Sequence, residues 1–416
     1  MQPDSEQQQH FVAPRWLNDS FLQQIIRAAR NDPSVTLCHS CKFHPGSKPG
    51  RNYASVLYRT TVHFRSGRSH HQVEQAINLM LKTEKHSVVL RDRSLFETEI
   101  RMYREVLPAM EQLLGSIGAS LDTPRFFYSS DHPHGLIVLQ DLFPSGWIEK
   151  EQIHQLEDAH PIIQSIAKFH AASWVLNDSV KSLQLANISN AIMEKNIAGL
   201  GELFGTLFSM FIESVSSWDE YRSLRPKLRT LNEQFEHRMK QIYSANVATH
   251  GSAGYNVLNH GDLHARNLLH KLETLEDGSD RITRTALIDF QHCHWGSPAI
   301  DLLYLLDLII DRELKYTRRD RIIREYYDNF VLHLKRLGHR GWVPSLQDLL
   351  AELDRHSFLE LVHDAIFEQI KHVDLSRGSW EDFLAGRLPG AGFNNSRYRA
   401  LVRKDLSDFL RRGVLE

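Results

Sequence analysis

A run near the middle of the chain, Asn259-His260-Gly261-Asp262-Leu263-His264-Ala265-Arg266-Asn267, is followed by a second at Leu287-Ile288-Asp289-Phe290-Gln291. The residues between them constrain the fold most. Leu268 to Leu272 reads as a strand, Glu276-Asp277-Gly278-Ser279 as a turn signalled by Asp-Gly, and Ile282 to Phe290 as the returning strand. Such a hairpin brings Asp289 back beside Asn267. A carboxylate at Asp262 and hard oxygen donors at Asn267 and Asp289 are then gathered at one end of it. Phosphoryl transfer to a hydroxyl needs a carboxylate to orient and deprotonate the acceptor, and oxygen ligands to hold magnesium on the phosphates. The five-residue step from Asp262 to Asn267 matches the base-to-ligand spacing of kinase catalytic loops. Singly, each residue is equally at home in an ordinary loop or strand end; the spacing and the hairpin together set them apart. The expected roles are Asp262 as base, Asn267 and Asp289 as magnesium ligands, and ATP as phosphoryl donor.

The next segment narrows the acceptor. Eleven residues separate Asp289 from Asp301, and Ser297-Pro298 within them reads as a helix start. That leaves no length for a segment that docks a peptide. No Ala-Pro-Glu follows, and Gly261 stands where protein kinases usually carry arginine. A small-molecule alcohol fits better than a protein.

The order of elements agrees. Tyr53 to Phe64 alternates as a strand, with Val56, Tyr58, Thr60, Val62 and Phe64 on one face, and Leu79 to Lys82 is a second strand. Leu95 to Leu114 has helical spacing, and Leu136 to Leu139 is a compact apolar strand. Beyond residue 143 the pattern is helical, with Pro161 to Leu176 and Leu200 to Tyr243 as long amphipathic stretches. The expectation is an α+β, two-lobed protein-kinase-like fold, with a sheet-rich nucleotide-binding lobe over 1–143 and a helical catalytic lobe over 144–416. In such a fold a strand lysine, here Lys82, contacts the phosphates and a helix glutamate holds it. Glu99 is preferred to Glu97 because Phe96, Ile100 and Tyr103 mark the buried face beside it. The turn Gly46 to Gly50, with Asn52 and Ser55 after it, is a candidate phosphate cover through backbone N–H groups. Gln140 and Leu142 follow an apolar strand where an adenine edge would meet the backbone.

Composition excludes other classes. Lys and Arg number 49 against 51 Asp and Glu, so no basic field favours nucleic acid. Three cysteines make no disulfide framework, and Cys38 and Cys41 lack the second pair that a closed zinc site needs. No signal peptide or membrane span is read, and a cytoplasmic protein is expected. His170 reads as a packed histidine on an apolar helix. The acceptor pocket is expected between the catalytic loop and the C-terminal helices, near Trp295, Tyr304 and Trp342. Oligomeric state is not readable.

These motifs resemble the ecdysteroid kinase-like proteins of insects, a branch of the choline and aminoglycoside kinase superfamily. The resemblance rests on Pro14-Arg15-Trp16-Leu17, Asn52-Tyr53-Ala54-Ser55, Phe96-Glu97-Thr98-Glu99-Ile100 and Val138-Leu139-Gln140-Asp141-Leu142. It extends through Ala167-Lys168-Phe169-His170-Ala171, the catalytic loop, Ile288-Asp289-Phe290-Gln291 and Gly296-Ser297-Pro298-Ala299-Ile300-Asp301-Leu302. Arg51 and Gln140 depart from it, each standing where an acidic residue is common. The resemblance implies phosphorylation of an ecdysteroid or another lipophilic or xenobiotic alcohol. The competing readings are a catalytically inactive kinase-fold binder and a choline- or ethanolamine-type kinase.

Overall fold

The computed structural model describes residues 13–47, 55–67, 73–84, 94–131, 134–189, 200–247, 254–373, 382 and 395–415. Asn52 and most of the turn around it lie outside the described residues. The chain divides into two compact units, residues 1–90 with 123–148, and residues 91–122 with 149–416. The segment 91–122 thus groups with the second unit, whereas the sequence placed all of 1–143 in one lobe.

The first unit is built on an antiparallel sheet. Its strands are β1 (Thr36–Leu37), β2 (His44–Pro45), β3 (Ser55–Arg65), β4 (Glu74–Glu84), β5 (Phe126–Ser130) and β6 (Leu136–Gln140). Their order is β1-β3-β4-β6-β5, with β2 also on β3. Tyr58, Thr60, Val62 and Phe64 are buried, as the alternation of β3 requires. β4 is longer than Leu79 to Lys82. Its first half, including Glu74, Gln75 and Asn78, is too polar to read as a strand, and its register with β3 over Ser55↔Glu84 to Arg65↔Glu74 extends it. Helix α1 (Asp19–Arg30) starts where the Asn18 side chain accepts the Phe21 N–H. It buries Leu22, Ile25 and Ile26 in one cluster with Leu79, Leu81, Leu136 and Val138. Strand alternation sends Lys82 to the opposite face from Leu81, between its partners Leu57 and Ile137. Gly46 crosses close over β3: a Cβ there would lie 2.5 Å from Leu57 Cβ.

The second unit begins with α2 (Ser94–Arg101), a π-helical turn (Met102–Val106) and α3 (Leu107–Gly115). The sequence predicted one uninterrupted helix. Pro108 has no N–H for the helical ladder, and the wider turn immediately before it accommodates that loss. Helix α4 (Leu156–Ser179) starts before Pro161, because a proline so near the N-terminus disturbs only the first turn. Then come α5 (Leu200–Ser217) and α6 (Arg225–Tyr243), and β7 (Val257–Asn259) leads into the catalytic loop. The hairpin is β8 (Leu268–Thr274) with β9 (Asp280–Leu287), followed by β10 (His294–Gly296) and α7 (Ala299–Tyr304). Later helices are α8 (Arg312–Arg336), α9 (Leu346–Arg355), α10 (Phe358–Val362) and α11 (Ser396–Arg411). Among the described residues, no helix is long and apolar enough to cross a membrane.

Charged groups tie the late helices together. Glu360, buried in α10, receives Lys315 at 3.3 Å, Arg319 at 3.1 Å and Arg412 at 2.7 Å. Lys315 also meets Asp307, and burial of such a group is tolerable only while its partners remain. Glu360→Ala should therefore destabilise the protein by about 3–5 kcal/mol. Thermal and urea denaturation would measure this; a loss below about 1 kcal/mol would mean the cluster is solvent-compensated.

Candidate functional site

The catalytic loop turns directly after β7. Gly261 has φ +78°, and a Cβ there would lie 2.2 Å from the His292 carbonyl oxygen. Only glycine meets both conditions, which explains why arginine is absent at this position. The loop backbone is held from the core by Asp301 of α7. Its Oδ2 accepts the His260 N–H at 2.7 Å and its Oδ1 the Gly261 N–H at 2.9 Å. The Asp301 N–H in turn donates to Asn259 Oδ1 at 3.4 Å. His170 of α4 lies with Nε2 3.0 Å from Asp301 Oδ2 and Nδ1 2.7 Å from the Tyr326 hydroxyl. All of this is buried: Asp301 is 1% exposed and His170 0%. Burial pushes the Asp301 carboxyl upward, but the hydrogen bond and charge of His170 outweigh it and hold the group below its ordinary value. His170 is the packed histidine expected. Asp301 was read only as part of a helix start, although an aspartate inside the apolar run Ala299 to Ile310 was a signal. That helix starts one residue later than predicted, with the Ser297 hydroxyl accepting the Ala299 N–H at 3.2 Å.

The hairpin forms as predicted, with Leu268 opposite Leu287. The return strand ends at Leu287 rather than Phe290. Asp289 has φ +66°, which breaks the extended chain and starts the short turn Phe290–His292. The Ile288 N–H donates to the Asn267 carbonyl at 3.1 Å, so Asp289 follows directly beside Asn267. Asn267 is buried, and its Nδ2 donates to the Asp262 carbonyl at 2.8 Å and to Asp262 Oδ2 at 3.1 Å. That fixes the amide orientation and leaves Oδ1 as an acceptor turned from Asp262. An amide oxygen and the neighbouring Asp289 carboxylate are the hard donors magnesium favours, so these residues fit it.

Asp262 retains a 20% exposed side chain. His264 Nε2 lies 3.5 Å from its Oδ2, while His264 Nδ1 accepts the Arg266 N–H at 3.2 Å. Burial pushes the Asp262 carboxyl upward, but His264, with His292 and His260 beyond, brings it well below the usual range. His264 was not singled out in the sequence, and its two-residue offset from Asp262 was the available signal.

The segment after Asp289 is used up by the Phe290–His292 turn and by β10, which pairs with β7. Phe290 is buried against Tyr103, Phe169 and His260. Glu99 is buried in α2, whereas Glu97 is exposed. The charges of Glu99 and Asp289 both act on the buried Tyr103 phenol, which burial already pushes far upward. In the first unit, Lys82 is 5% exposed and Ser55 is buried at the start of β3. The Gln140 N–H donates to the Arg125 carbonyl and the Asp141 N–H to the Asn78 carbonyl. The Asp141 carboxylate meets Arg59 at 3.1 Å and accepts the Phe143 N–H at 3.1 Å, stiffening the turn that holds Leu142. Trp342 packs with Trp174 at 6.0 Å, in a cluster that also holds Tyr255 and Phe330, rather than with Tyr304.

A family model described as the ecdysteroid kinase-like family matches residues 49–339, more than half of the 416. The chain belongs to the ecdysteroid kinase-like family. Membership places it in the enzyme class its loop and hairpin imply, phosphotransferases with a small-molecule alcohol as acceptor. No curated protein matches the chain. Among solved structures it is similar to macrolide 2'-phosphotransferase MphH from Brachybacterium faecium, at 14% identity over 84% of this chain and 92% of that one, TM-score 0.37. The streptomycin-ATP-APH(2")-IIa ternary complex is 15% identical over 84% and 90%, TM-score 0.38. A microcompartment-associated aminopropanol kinase is 13% identical over 95% and 99%, TM-score 0.40.

Two outcomes follow from the loop geometry. Gly261→Ala should cost at least about 1–2 kcal/mol from the left-handed backbone alone, before the contact with His292 is counted. Calorimetry checks it, and an unchanged melting temperature would contradict the close approach. Asp301 favours its ionised form in the folded chain, since its value is depressed from 3.8. Its stabilisation is present above that ordinary value and is lost as pH falls through the lower, folded one. The stability gap between wild type and Asp301→Asn should hold from neutral pH to about pH 5 and close only in stronger acid. A gap that closes near pH 6 would point to a different titrating group.

Proposed function

We propose that this protein transfers the γ-phosphoryl group of ATP, with magnesium, to a hydroxyl of a small lipophilic alcohol such as an ecdysteroid or a xenobiotic. The observation that carries the reading is the Asn267 amide. It donates to Asp262 and keeps its oxygen free beside Asp289, so one side chain couples a base to a metal-binding pair. In this reading Asp262 orients the acceptor and takes its proton as the oxygen–phosphorus bond forms and the bond to ADP breaks. Depression of its carboxyl keeps it ionised, and so ready to accept, throughout the neutral range. Asn267 Oδ1 and Asp289 hold magnesium, which when bound offsets the phosphate charge. Lys82 supplies a cation for the phosphates, with Glu99 as the helix carboxylate of the same machinery. Asn52 and Ser55 belong to the phosphate-covering turn, and Gln140 and Leu142 offer backbone groups to adenine. The lobes are assigned as 1–143 and 144–416 for these roles. A protein acceptor is disfavoured because the turn and β10 consume the chain between Asp289 and α7.

Paired variants test the division of labour. Asp262→Asn should keep ATP-induced thermal stabilisation and lower turnover of an accepted alcohol by about 10²–10⁴-fold, the usual worth of positioned proton transfer. Asp289→Asn should lose magnesium-dependent stabilisation as well as turnover, and EDTA should mimic it. Wild-type turnover by Asp262→Asn would remove the base assignment. Retained ATP binding with no phosphorylated product from any alcohol would favour an inactive binder. Lys82→Ala should lower kcat/KM without unfolding the sheet; full activity would place the phosphate cation elsewhere.

A further inference from the structure

Two π-helical turns in the second unit lie side by side: Leu305–Ile309, directly after α7, and His363–Glu368, directly after α10. π-turns are rare and recur at functional sites. His363 Nδ1 lies 2.7 Å from Asp307 Oδ2 and joins them. Asp307 is buried and also meets Lys315. Burial pushes its carboxyl upward, but Lys315 and His363 reverse that and hold it ionised. An ionised Asp307 accepts only, so His363 donates from Nδ1, and neutral His363 then carries a lone pair on Nε2. That Nε2 is buried and has no hydrogen-bond partner. A buried acceptor left unpaired costs on the order of 1–3 kcal/mol, a reason to expect a partner.

The surroundings connect this atom to the catalytic loop. Tyr304 packs edge-on to His363, with ring centroids 4.5 Å apart. The Tyr304 hydroxyl lies 3.3 Å from that of Tyr243, and the Asp262 charge acts on both phenols. On the other side, Phe367 lies 5.7 Å from His363 and 6.0 Å from Phe204 of α5. Phe204 and Phe367 are half-buried, unlike Tyr304 and His363. An aromatic wall thus runs from Asp262 to a polar atom whose valence is unfilled.

We propose that this wall is the acceptor subsite and that His363 Nε2 selects for a second hydrogen-bond donor on the alcohol, remote from the reacting hydroxyl. The ligand class is a ring-bearing, mainly apolar diol or polyol, and Phe367 is the ring that turns to admit it. The inference rests on the phosphotransfer reading for which hydroxyl reacts, but the recognition step is measurable without ATP.

Estradiol and its 3-methyl ether serve as probes, since the ether keeps the rings and the 17-hydroxyl but caps the second donor. Calorimetric binding to the full chain should favour estradiol by roughly tenfold, the usual order for one hydrogen bond to a neutral group. His363→Asn keeps a donor toward Asp307 and removes the distal acceptor; it should abolish the preference. His363→Gln puts an acceptor near the Nε2 position and should retain most of it. A purely structural role predicts the reverse order, because Gln serves Asp307 less well. Equal wild-type affinity for the two probes, no binding of either, or a preference that survives in His363→Asn would overturn the proposal. Should the Asn variant not fold, the wild-type preference and the Gln variant still decide. In an ADP-release assay, selective binding without turnover would sink the phosphotransfer reading alone. Asp262-dependent turnover that ignores His363 would sink the subsite alone.

Discussion

Everything near the catalytic loop depends on one buried carboxylate. Asp301 takes the N–H groups of His260 and Gly261, two consecutive amides that a glycine in a left-handed conformation turns inward. Without that acceptor both donors would be buried and unpaired, at a cost of several kcal/mol. His170 and Tyr326 extend the constraint into α4 and α8, the longest helices described, so the loop is referenced to the most rigid part of its unit. The position of Asp262 is therefore set by the core rather than by the loop's own contacts.

The hairpin supplies the second constraint. Its strands give Asn267 and Asp289 a fixed separation, and the Ile288–Asn267 hydrogen bond continues the ladder one residue past the last strand pair. At that point the backbone turns sharply at Asp289. Strand geometry delivers the carboxylate, and the break in strand geometry keeps the next residues from running on. Phe290 is instead carried into the aromatic core beside Tyr103 and Phe169.

Much of this was legible in the sequence because it is written in local chemistry. The Asp-Gly turn and alternating flanks fixed the hairpin, and the apolar faces of α1 and β3 fixed the core of the first unit. The loop residues declared themselves by type and spacing. What escaped was long-range. Asp301 meets the loop across some forty residues, and no local pattern tells an anchoring carboxylate from a helix-start one. The outer half of β4 escaped because its identity comes from its partner strand, and the end of β9 escaped because a single φ decided it. The π-turns are visible only as geometry; Pro108 hinted at one of the three. The full length of α4 was hidden by treating Pro161 as a start, although a proline in the first turns is mild.

The left-handed backbone at Asp289 carries a consequence for how this position can vary. Among residues with a Cβ, only asparagine and aspartate visit that region readily, because their short polar side chains bond locally. A saturation library at 289 would thus be filtered twice, once by conformation and once by charge. Glutamate keeps the charge but fits the backbone poorly, glycine keeps the backbone but loses the charge, and asparagine keeps the backbone and one oxygen. Such a position leaves a lineage almost no neutral neighbours, so its sequence is pinned by sterics even where selection on activity is relaxed.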